Sequence, residues 1–439
     1  MSQLIVVLGA GISGVGAAVL AKKKGFDVFV SEKGKITNSN KKVLSNNMID
    51  WEEGQHTIEK ILDASEVIKS PGIPDRIELI QNLYEQNIRV ISEIEFAFRY
   101  TKAKIVSITG SNGKTTTSLL LGHIFKNAGY DVLIAGNIGT GFSLSLSERD
   151  YDYIVLELSS FQLDGIRNFR SDIAIILNIT ADHLERYDGK IEDYIASKFR
   201  ISENQTEHDF LIYNDDDPLV NKVQTKAKRL PISLIKEQVE GGSLNKNELI
   251  IKINNQTMKI QELALNGKHN MFNSMAAAIA ARVFEVKDTV IRQSMIDFQN
   301  LEHRLEYVIT VHGIDFINDS KATNVNASWF ALESMRQDVV WIAGGVDKGN
   351  DYSELDEMVA SKVKAIICLG DDNQSLIKSF QGKVDTIVQA SSMVEAVNQS
   401  FTLAKKGQAV LLSPACASFD LFENYEDRGF QFKKSVRAL

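Results

Sequence analysis

The sequence predicts an α/β fold of three domains, each built on a mainly parallel sheet. Three observations carry that prediction. Short apolar runs bounded by turn residues alternate with helical patterns along almost the whole chain, as parallel strands joined by crossover helices do. Two of the strand-to-helix turns are rich in glycine, GAGISG at Gly9–Gly14 and TGSNGKTT at Thr109–Thr116. The length of 439 residues, at about 150 residues per domain, gives about three domains.

The first domain is expected over 1–94. It opens with the strand Leu4–Leu8, the loop Gly9–Gly14 and a helix to about Lys24. The strand Val28–Val30 follows and ends at Glu32. Then come Glu66–Lys69, the turn Ser70-Pro71-Gly72-Ile73-Pro74 and the short strand Arg89–Ile91. The second domain is expected over 95–300. The buried strand Ile105–Ile108 leads through Gly110–Thr116 into the helix Ser118–Lys126, and the strands Tyr153–Leu158 and Ile173–Asn178 follow. The alternating runs Glu248–Ile253 and Gln256–Ile260, split by Asn254-Asn255, predict a hairpin. The Ala-rich helix Asn270–Phe284 closes the domain. The third domain, 301–439, has strand candidates at Phe316–Asn318, Val339–Ala343, Ala365–Leu369 and Ala409–Leu412.

A hydrophobic content of 44% and a charged content of 24% are those of an ordinary soluble globular protein. The net charge of −8 argues against a nucleic-acid partner, which needs a basic face to neutralise phosphates. Lys22-Lys23-Lys24 is read as a solvated helix face. Two cysteines, Cys368 and Cys416, make neither a zinc site nor a disulfide scaffold, and a reducing cytoplasm fits them. The N-terminus runs straight into a strand, and no apolar run approaches the length of a membrane span. A soluble, cytoplasmic monomer is the expectation.

The loop Gly110-Ser111-Asn112-Gly113-Lys114-Thr115-Thr116 carries the most chemistry. Its glycines let backbone N–H groups approach an anion, and the following helix adds partial positive charge. Lys114 can reach the outer phosphates of a nucleotide, and Thr115 can hold Mg²⁺. The usual phosphate loop has four residues between its first glycine and the Gly-Lys pair, whereas here only Ser111 and Asn112 intervene. Gly9–Gly14, with Glu32 ending the next strand, has the spacing of a dinucleotide loop, though a tight turn without a ligand has the same pattern. Glu157, at the end of a strand in the nucleotide domain, is either a second Mg²⁺ ligand or a carboxylate bonded to nearby hydroxyls.

His183, in NITADH, is either a metal or substrate ligand or a satisfied hydrogen-bonding residue. Lys198 reads as an ordinary exposed helix lysine. Asp319 and Ser320 read as helix N-caps ahead of Lys321, a cation placed beside a helix start. Arg304 can reach a nucleotide. Lys348 in GGVDKG and the hydroxyls of Ser413–Asp420 together suit a small carboxylate substrate.

The segments TGSNGKTT, LELSSFQL, LNITADH, GKHNMFN, HRLE, NDSKATN, GGVDKG and SPACASFD occur in this order. Together they resemble the Mur ligases of peptidoglycan synthesis over essentially the whole chain, and NDSKATN and SPACASFD resemble the D-glutamate-adding branch. The resemblance implies Rossmann-like N- and C-terminal domains around a central P-loop-type ATP-binding domain. It implies an ATP-dependent amide ligase that adds D-glutamate to UDP-N-acetylmuramoyl-L-alanine through an acyl phosphate. The C-terminal domain would close over the cleft to exclude water.

The same resemblance assigns residues. Ile12, Ser13, Glu32, Lys33 and Gly72 would bind the UDP portion, and Asn137, Ser159 and His183 the muramoyl-alanine portion. Glu32 and Lys33 depart from the aspartate and small polar residue common in the family. Gly110, Ser111, Asn112, Gly113, Lys114, Thr115 and Thr116 would hold ATP phosphates, and Asn270, Asn273, Arg304, Asp319 and Lys321 the rest of ATP. Thr115 and Glu157 would hold one Mg²⁺, and His183 and a carbamylated Lys198 a second. Thr323, Lys348, Ser418, Phe419 and Tyr425 would bind D-glutamate. Lys114, Glu157, His183, Lys198 and Lys321 would be the catalytic set. The competing readings are a nicotinamide-dependent oxidoreductase built on Gly9–Gly14, a non-catalytic nucleotide-controlled binding protein, and a ligase of the same class for another amino acid.

Overall fold

The computed structural model describes residues 3–180, 184–246, 248–265, 267–298, 302–347 and 349–439. Among them, twenty strands form three sheets. The first sheet holds β1 (Leu4–Leu8), β2 (Asp27–Glu32), β3 (Asp50–Glu53), β4 (Glu66–Lys69) and β5 (Arg89–Ser92). Its order is β3-β2-β1-β4-β5, with every pairing parallel. Val6, Val7 and Leu8 are fully buried, as a parallel strand covered on both faces requires. The strand order reverses beside β1, and Gly9–Gly14 leaves the sheet at that switch point, where open α/β sheets receive ligands. A side chain at Gly14 would run into the Gly9 carbonyl, so the helix Ile12–Lys23 sits close against its strand.

The second sheet holds β6 (Lys104–Thr109), β7 (Val132–Gly136), β8 (Tyr153–Glu157), β9 (Ile173–Ile176), β10 (Phe210–Asn214), β11 (Lys228–Ser233), β12 (Gly241–Asn245), β13 (Glu248–Ile253) and β14 (Gln256–Ile260). The order is β14-β13-β12-β11-β10-β9-β6-β8-β7. It is parallel from β11 to β7, and β12–β14 form antiparallel pairs. Here too the order reverses at one strand, β6, and the loop Gly110–Gly113 leaves from its end. The predicted hairpin is present, with Asn254 and Asn255 at φ 51° and 62°, the left-handed pair of a two-residue turn.

The third sheet holds β15 (Glu306–Val311), β16 (Ile314–Asn318), β17 (Val339–Ala343), β18 (Val363–Leu369), β19 (Thr386–Ala390) and β20 (Ala409–Leu412), in the order β15-β16-β20-β17-β18-β19. Only β15–β16 is antiparallel. Its two faces bury separate apolar clusters, one around Trp341 and Phe380, the other around Ile342 and Phe432.

The chain divides into two compact units, Met1–Ala264 with Met271–Phe298, and Leu265–Asn270 with Gln299–Leu439. In the first unit the first two sheets share a core. Ala17, Ala18 and Val19 of the first helix and Phe142 and Leu146 of the helix Phe142–Glu148 belong to one buried cluster.

The structure departs from the sequence reading at several places. The reading does not name β3, β7, β10, β11, β12, β15 and β19. Of these, β3, β7, β15 and β19 are sheet edges; β3 (DWEE) carries three acidic residues and β11 carries Lys228, Arg229 and Pro231, whereas β7 (VLIAG) is wholly apolar. β10 (FLIYN) is as apolar as the strands that are named. Asp319 and Ser320 are not N-caps. The helix begins at Val325 and is capped by Asn324, whose side chain accepts from the Ala327 N–H at 2.8 Å. Lys198 is not an exposed helix lysine but is only 2% exposed.

Candidate functional site

In the first unit the loop after β6 is pinned from its neighbour strand. Ser111 Oγ donates to the Thr180 carbonyl at 3.0 Å and accepts from its N–H at 2.9 Å. The Asn112 N–H donates to Asn178 Oδ1 at 2.8 Å, and Asn178 Nδ2 returns a bond to the Asn112 carbonyl at 3.0 Å. Gly113, at φ 86°, starts the helix Lys114–Asn127. A side chain there would collide with Asn273 Oδ1, so the left-handed turn and its buried neighbour both demand glycine.

Two ammonium groups converge on one carbonyl. Lys114 Nζ donates to Gly110 O at 2.8 Å and Ser111 O at 2.9 Å. Lys198 Nζ donates to the same Gly110 O at 3.0 Å and lies 4.5 Å from the Tyr194 ring centre. Two cations beside a helix N-terminus make this loop an anion site of high local potential.

Glu157 ends β8 and is buried. Its Oε1 accepts from Asn137 Nδ2 at 2.9 Å. Its Oε2 is buried with no hydrogen-bond partner, as is Thr116 Oγ1. An unpaired buried carboxylate oxygen is costly, and it suits a hard cation that takes oxygen ligands. Among the described residues no group of three His, Cys, Asp or Glu gathers as a metal cluster. Ser159 caps the short helix Ser160–Leu163 in a reciprocal arrangement with Gln162. His183 lies outside the described residues.

At the first glycine loop, both oxygens of Glu32 are engaged. One accepts from the Ala10 N–H at 2.8 Å, the other from the Gly34 N–H at 2.7 Å. The carboxylate therefore fixes the loop's shape, whatever else it binds. Ile12 is 67% exposed, an apolar side chain left open at the loop. Lys33 is exposed, and Ser13 lies on the first turn of the helix.

In the second unit a different set assembles. Asp319 is buried between the Leu305 N–H at 3.1 Å and Ser413 Oγ at 2.9 Å. Burial pushes its carboxyl up to about 7, against the opposing pull of Arg304. Lys321 Nζ stands 5.4 Å from the Tyr425 ring centre, and its backbone N–H donates to the His303 carbonyl at 3.0 Å. Thr323 is exposed, Ser418 buried, and Phe419 71% exposed. Lys348 lies outside the described residues. The loop around it is anchored by Asp347, which accepts from the Gly349 and Asn350 N–H groups, both at 2.9 Å. Tyr352 hydroxyl ties Asp347 at 3.2 Å to Cys416 Sγ at 3.1 Å. Asn270 of this unit is buried, and so is Asn273 of the first unit.

Sequence reasoning missed Arg428. It is 1% exposed and bonds Ser320 through Nε at 3.0 Å and Nη2 at 2.8 Å, and the Cys416 carbonyl through Nη1 at 3.1 Å. One guanidinium thus joins the 319–321 loop to the 413–418 loop. Its partners lie about a hundred residues away or are backbone atoms, so no local motif announces it. Tyr194, within 3.2 Å of Ser111 Oγ, was missed as well.

The titration of Asp319 gives a prediction. Its folded value lies above the unfolded one, so its favourable contribution is complete below about pH 4 and is lost as pH rises through about 7. Replacement by asparagine removes this slope. Thermal unfolding of Asp319→Asn should improve relative to the parent as pH rises from 4 to 7, by a few kcal/mol at most. A stability difference independent of pH would refute the raised carboxyl.

Three family models match the chain. These are the Mur ligase middle domain over residues 108–281, the Mur ligase glutamate ligase domain over 303–416 and the MurD N-terminal domain over 5–79. The UDP-N-acetylmuramoylalanine–D-glutamate ligase of Christiangramia forsetii is 53% identical over 446 residues, covering 100% of both chains. That of Bacteroides fragilis is 53% identical over 441 residues, covering 99% of each. Among solved structures, MurF ligase from Thermotoga maritima in complex with ADP superposes with a TM-score of 0.61 at 16% identity, covering 96% of this chain and 99% of that one. At that identity the likeness speaks for the fold. Matched from end to end by relatives more than half identical, the chain belongs to the Mur ligase family, in the branch of the UDP-N-acetylmuramoylalanine–D-glutamate ligases.

Proposed function

We propose that this protein is an ATP-dependent ligase that joins D-glutamate to UDP-N-acetylmuramoyl-L-alanine in peptidoglycan precursor synthesis. The observation that carries the chemistry is the loop Gly110–Thr116 at the start of the helix Lys114–Asn127, with Lys114 folded back on the Gly110 carbonyl. A free carboxylate resists amine attack because it is charged and resonance-stabilised. Transfer of the γ-phosphoryl group of ATP to the L-alanine carboxylate forms an acyl phosphate and releases ADP. The amine of D-glutamate then attacks the acyl carbon, loses a proton, and the carbon–oxygen bond to phosphate breaks.

In this reading Lys114, the loop N–H groups and the helix N-terminus hold the phosphates in line. The bare Oε2 of Glu157 supports a Mg²⁺ site there, with Thr115 as its partner. Bound Mg²⁺ would offset phosphate charge. His183 and a carbamylated Lys198 would hold a second ion, the carbamate exchanging an ammonium for anionic oxygens. Ser111, Asn112, Gly113, Thr116, Asn270, Asn273, Arg304, Asp319 and Lys321 are assigned to ATP. Ile12, Ser13, Glu32, Lys33, Gly72, Asn137, Ser159 and His183 are assigned to the UDP substrate, and Thr323, Lys348, Ser418, Phe419 and Tyr425 to D-glutamate.

The proposed domains are 1–94, 95–300 and 301–439, working as a cytoplasmic monomer. No helix among the described residues is long and apolar enough to cross a membrane. A nicotinamide reading of Gly9–Gly14 gives the second loop no task.

The test supplies ATP, Mg²⁺ and UDP-N-acetylmuramoyl-L-alanine with a panel of D- and L-amino acids, following ADP and product mass. D-glutamate should be the amino acid incorporated. ADP formed without either co-substrate, or preference for another amino acid, would overturn the reading. A second expectation concerns Tyr352. Its hydroxyl bridges the loops on either side of the proposed D-glutamate site, so Tyr352→Phe should raise the KM for D-glutamate about three- to tenfold, the worth of about one hydrogen bond, with kcat little changed. Steady-state kinetics in D-glutamate reads this directly.

A further inference from the structure

The turn Leu184–Tyr187 touches two sites at once. Arg186 spreads its guanidinium over three successive carbonyls, those of Pro71 at 2.9 Å, Gly72 at 3.0 Å and Ile73 at 2.9 Å. The same guanidinium lies 4.7 Å from the Phe161 ring centre. The carbonyl of Ile73 also accepts from the buried Lys69 Nζ at 2.7 Å, which pairs with Asp75 at 3.0 Å. This 71–73 segment adjoins the first glycine loop, since the Ser70 N–H donates to the Leu8 carbonyl and a side chain at Gly9 would strike Ser70.

The neighbouring residue, Tyr187, lies near the same Phe161 ring, with ring centres 6.1 Å apart, and makes its own hydrogen bonds. Tyr187 hydroxyl bonds Asp164 Oδ2 at 3.1 Å and Ser197 Oγ at 3.3 Å. Ser197 precedes Lys198, whose Nζ holds the Gly110 carbonyl of the phosphate loop. Ser197 Oγ in turn donates to the Ser160 carbonyl at 2.9 Å, beside the strand end that carries Glu157. A path of hydrogen bonds linked through the backbone at Arg186–Tyr187 and at Ser197–Lys198 therefore runs from the 71–73 segment through one turn to the helix Ile191–Phe199 and the phosphate loop.

We propose that Arg186 and Tyr187 couple occupancy of the nucleotide-sugar loop to the phosphate loop, with Arg186 as a positioning residue. The inference rests on the assignment of the UDP substrate to the first glycine loop. Three carbonyls in a row, together with an aromatic face, need a planar cation with several fixed donors, and lysine does not supply that. A shift of the 71–73 segment would break several charge-assisted bonds at once, so the turn has reason to move with it. Through Tyr187 that movement reaches Ser197 and Lys198. The salt bridge Arg76–Asp188 at 2.7 Å also joins the two segments, but both groups are largely exposed, and such pairs contribute little.

The test is a binding cycle by calorimetry on the full chain. The affinity for a non-hydrolysable ATP analogue with Mg²⁺ is measured with and without UDP-N-acetylmuramoyl-L-alanine. The wild type should show an affinity ratio of several-fold. Arg186→Lys should bring that ratio to about one and raise the KM for the UDP substrate about tenfold, with affinity for the analogue alone unchanged. Tyr187→Phe, which leaves Arg186 and its carbonyls in place, should also bring the ratio to about one but change that KM less. Arg76→Ala should keep the wild-type ratio. By linkage, the same ratios should appear when the UDP substrate is titrated with and without the analogue. A ratio that survives both Arg186→Lys and Tyr187→Phe overturns the coupling. Failure of the wild type to bind the UDP substrate would instead refute the functional reading beneath it.

Discussion

Replacing Lys114 with alanine should lower ATP-dependent turnover by at least about 10²–10³-fold, the cost of removing one preorganised donor from a transition state that concentrates charge. The fold should survive. In the structure Lys114 folds back on the carbonyls of Gly110 and Ser111. Loss of its ammonium leaves the Gly110 carbonyl still bonded to Lys198 and frees Ser111 O. The lost bond to Ser111 O contributes roughly 1 kcal/mol to the cost in stability. The loop remains held by Asn178 and Thr180. The effect should fall on kcat more than on the KM for ATP, because the phosphates gain most from a cation where charge develops. Steady-state ADP release and a thermal melt, run on the same preparation, measure both halves. Turnover within tenfold of the parent would remove Lys114 from the chemistry.

Much of this arrangement was legible in the sequence because it is local. Both glycine loops sit between an apolar run and a helix, and the structure sets each at a point where its sheet reverses order. The strands Leu4–Leu8, Val339–Ala343 and Ala409–Leu412 have the bounds that their apolar runs suggest. The Asn254-Asn255 turn is equally local. What the sequence hid depends on distant partners. Lys198 lies in an amphipathic helix whose polar spacing looks solvent-facing, yet the packing of that helix against the 110–113 loop buries it. Arg186 takes its role from the Pro71 carbonyl and Arg428 from the Ser320 carbonyl, both at far removed positions that no spacing rule encodes. Asp319 and Ser320 have cap chemistry but serve the loop before the helix, because Asn324 is better placed as the cap. Among the edge strands, β3 (DWEE) was obscured by its acidic residues, whereas β7 (VLIAG) has the apolar run of a strand.

Glu157→Gln should cost activity as heavily as loss of Lys114 and yet leave the resting fold nearly as stable. The carboxylate has one oxygen bonded to Asn137 and one that is buried without a partner. Glutamine keeps an acceptor for Asn137 and removes a desolvated charge. Against that gain stands a buried amide NH₂ with imperfect partners, so the two effects offset each other to within about 1–2 kcal/mol. The decisive readout is therefore the ligand response. If the bare oxygen is a magnesium ligand, Mg²⁺ with a non-hydrolysable ATP analogue should raise the melting temperature of the parent by mass action. The same addition should move the variant much less, because a neutral amide oxygen is a weaker ligand for a hard cation. Turnover should fall by about 10²–10³-fold or more, in line with the loss of a charge-positioning group. Activity near that of the parent, or an undiminished Mg²⁺-dependent rise in melting temperature, would show that the unpaired oxygen serves some purpose other than holding the metal.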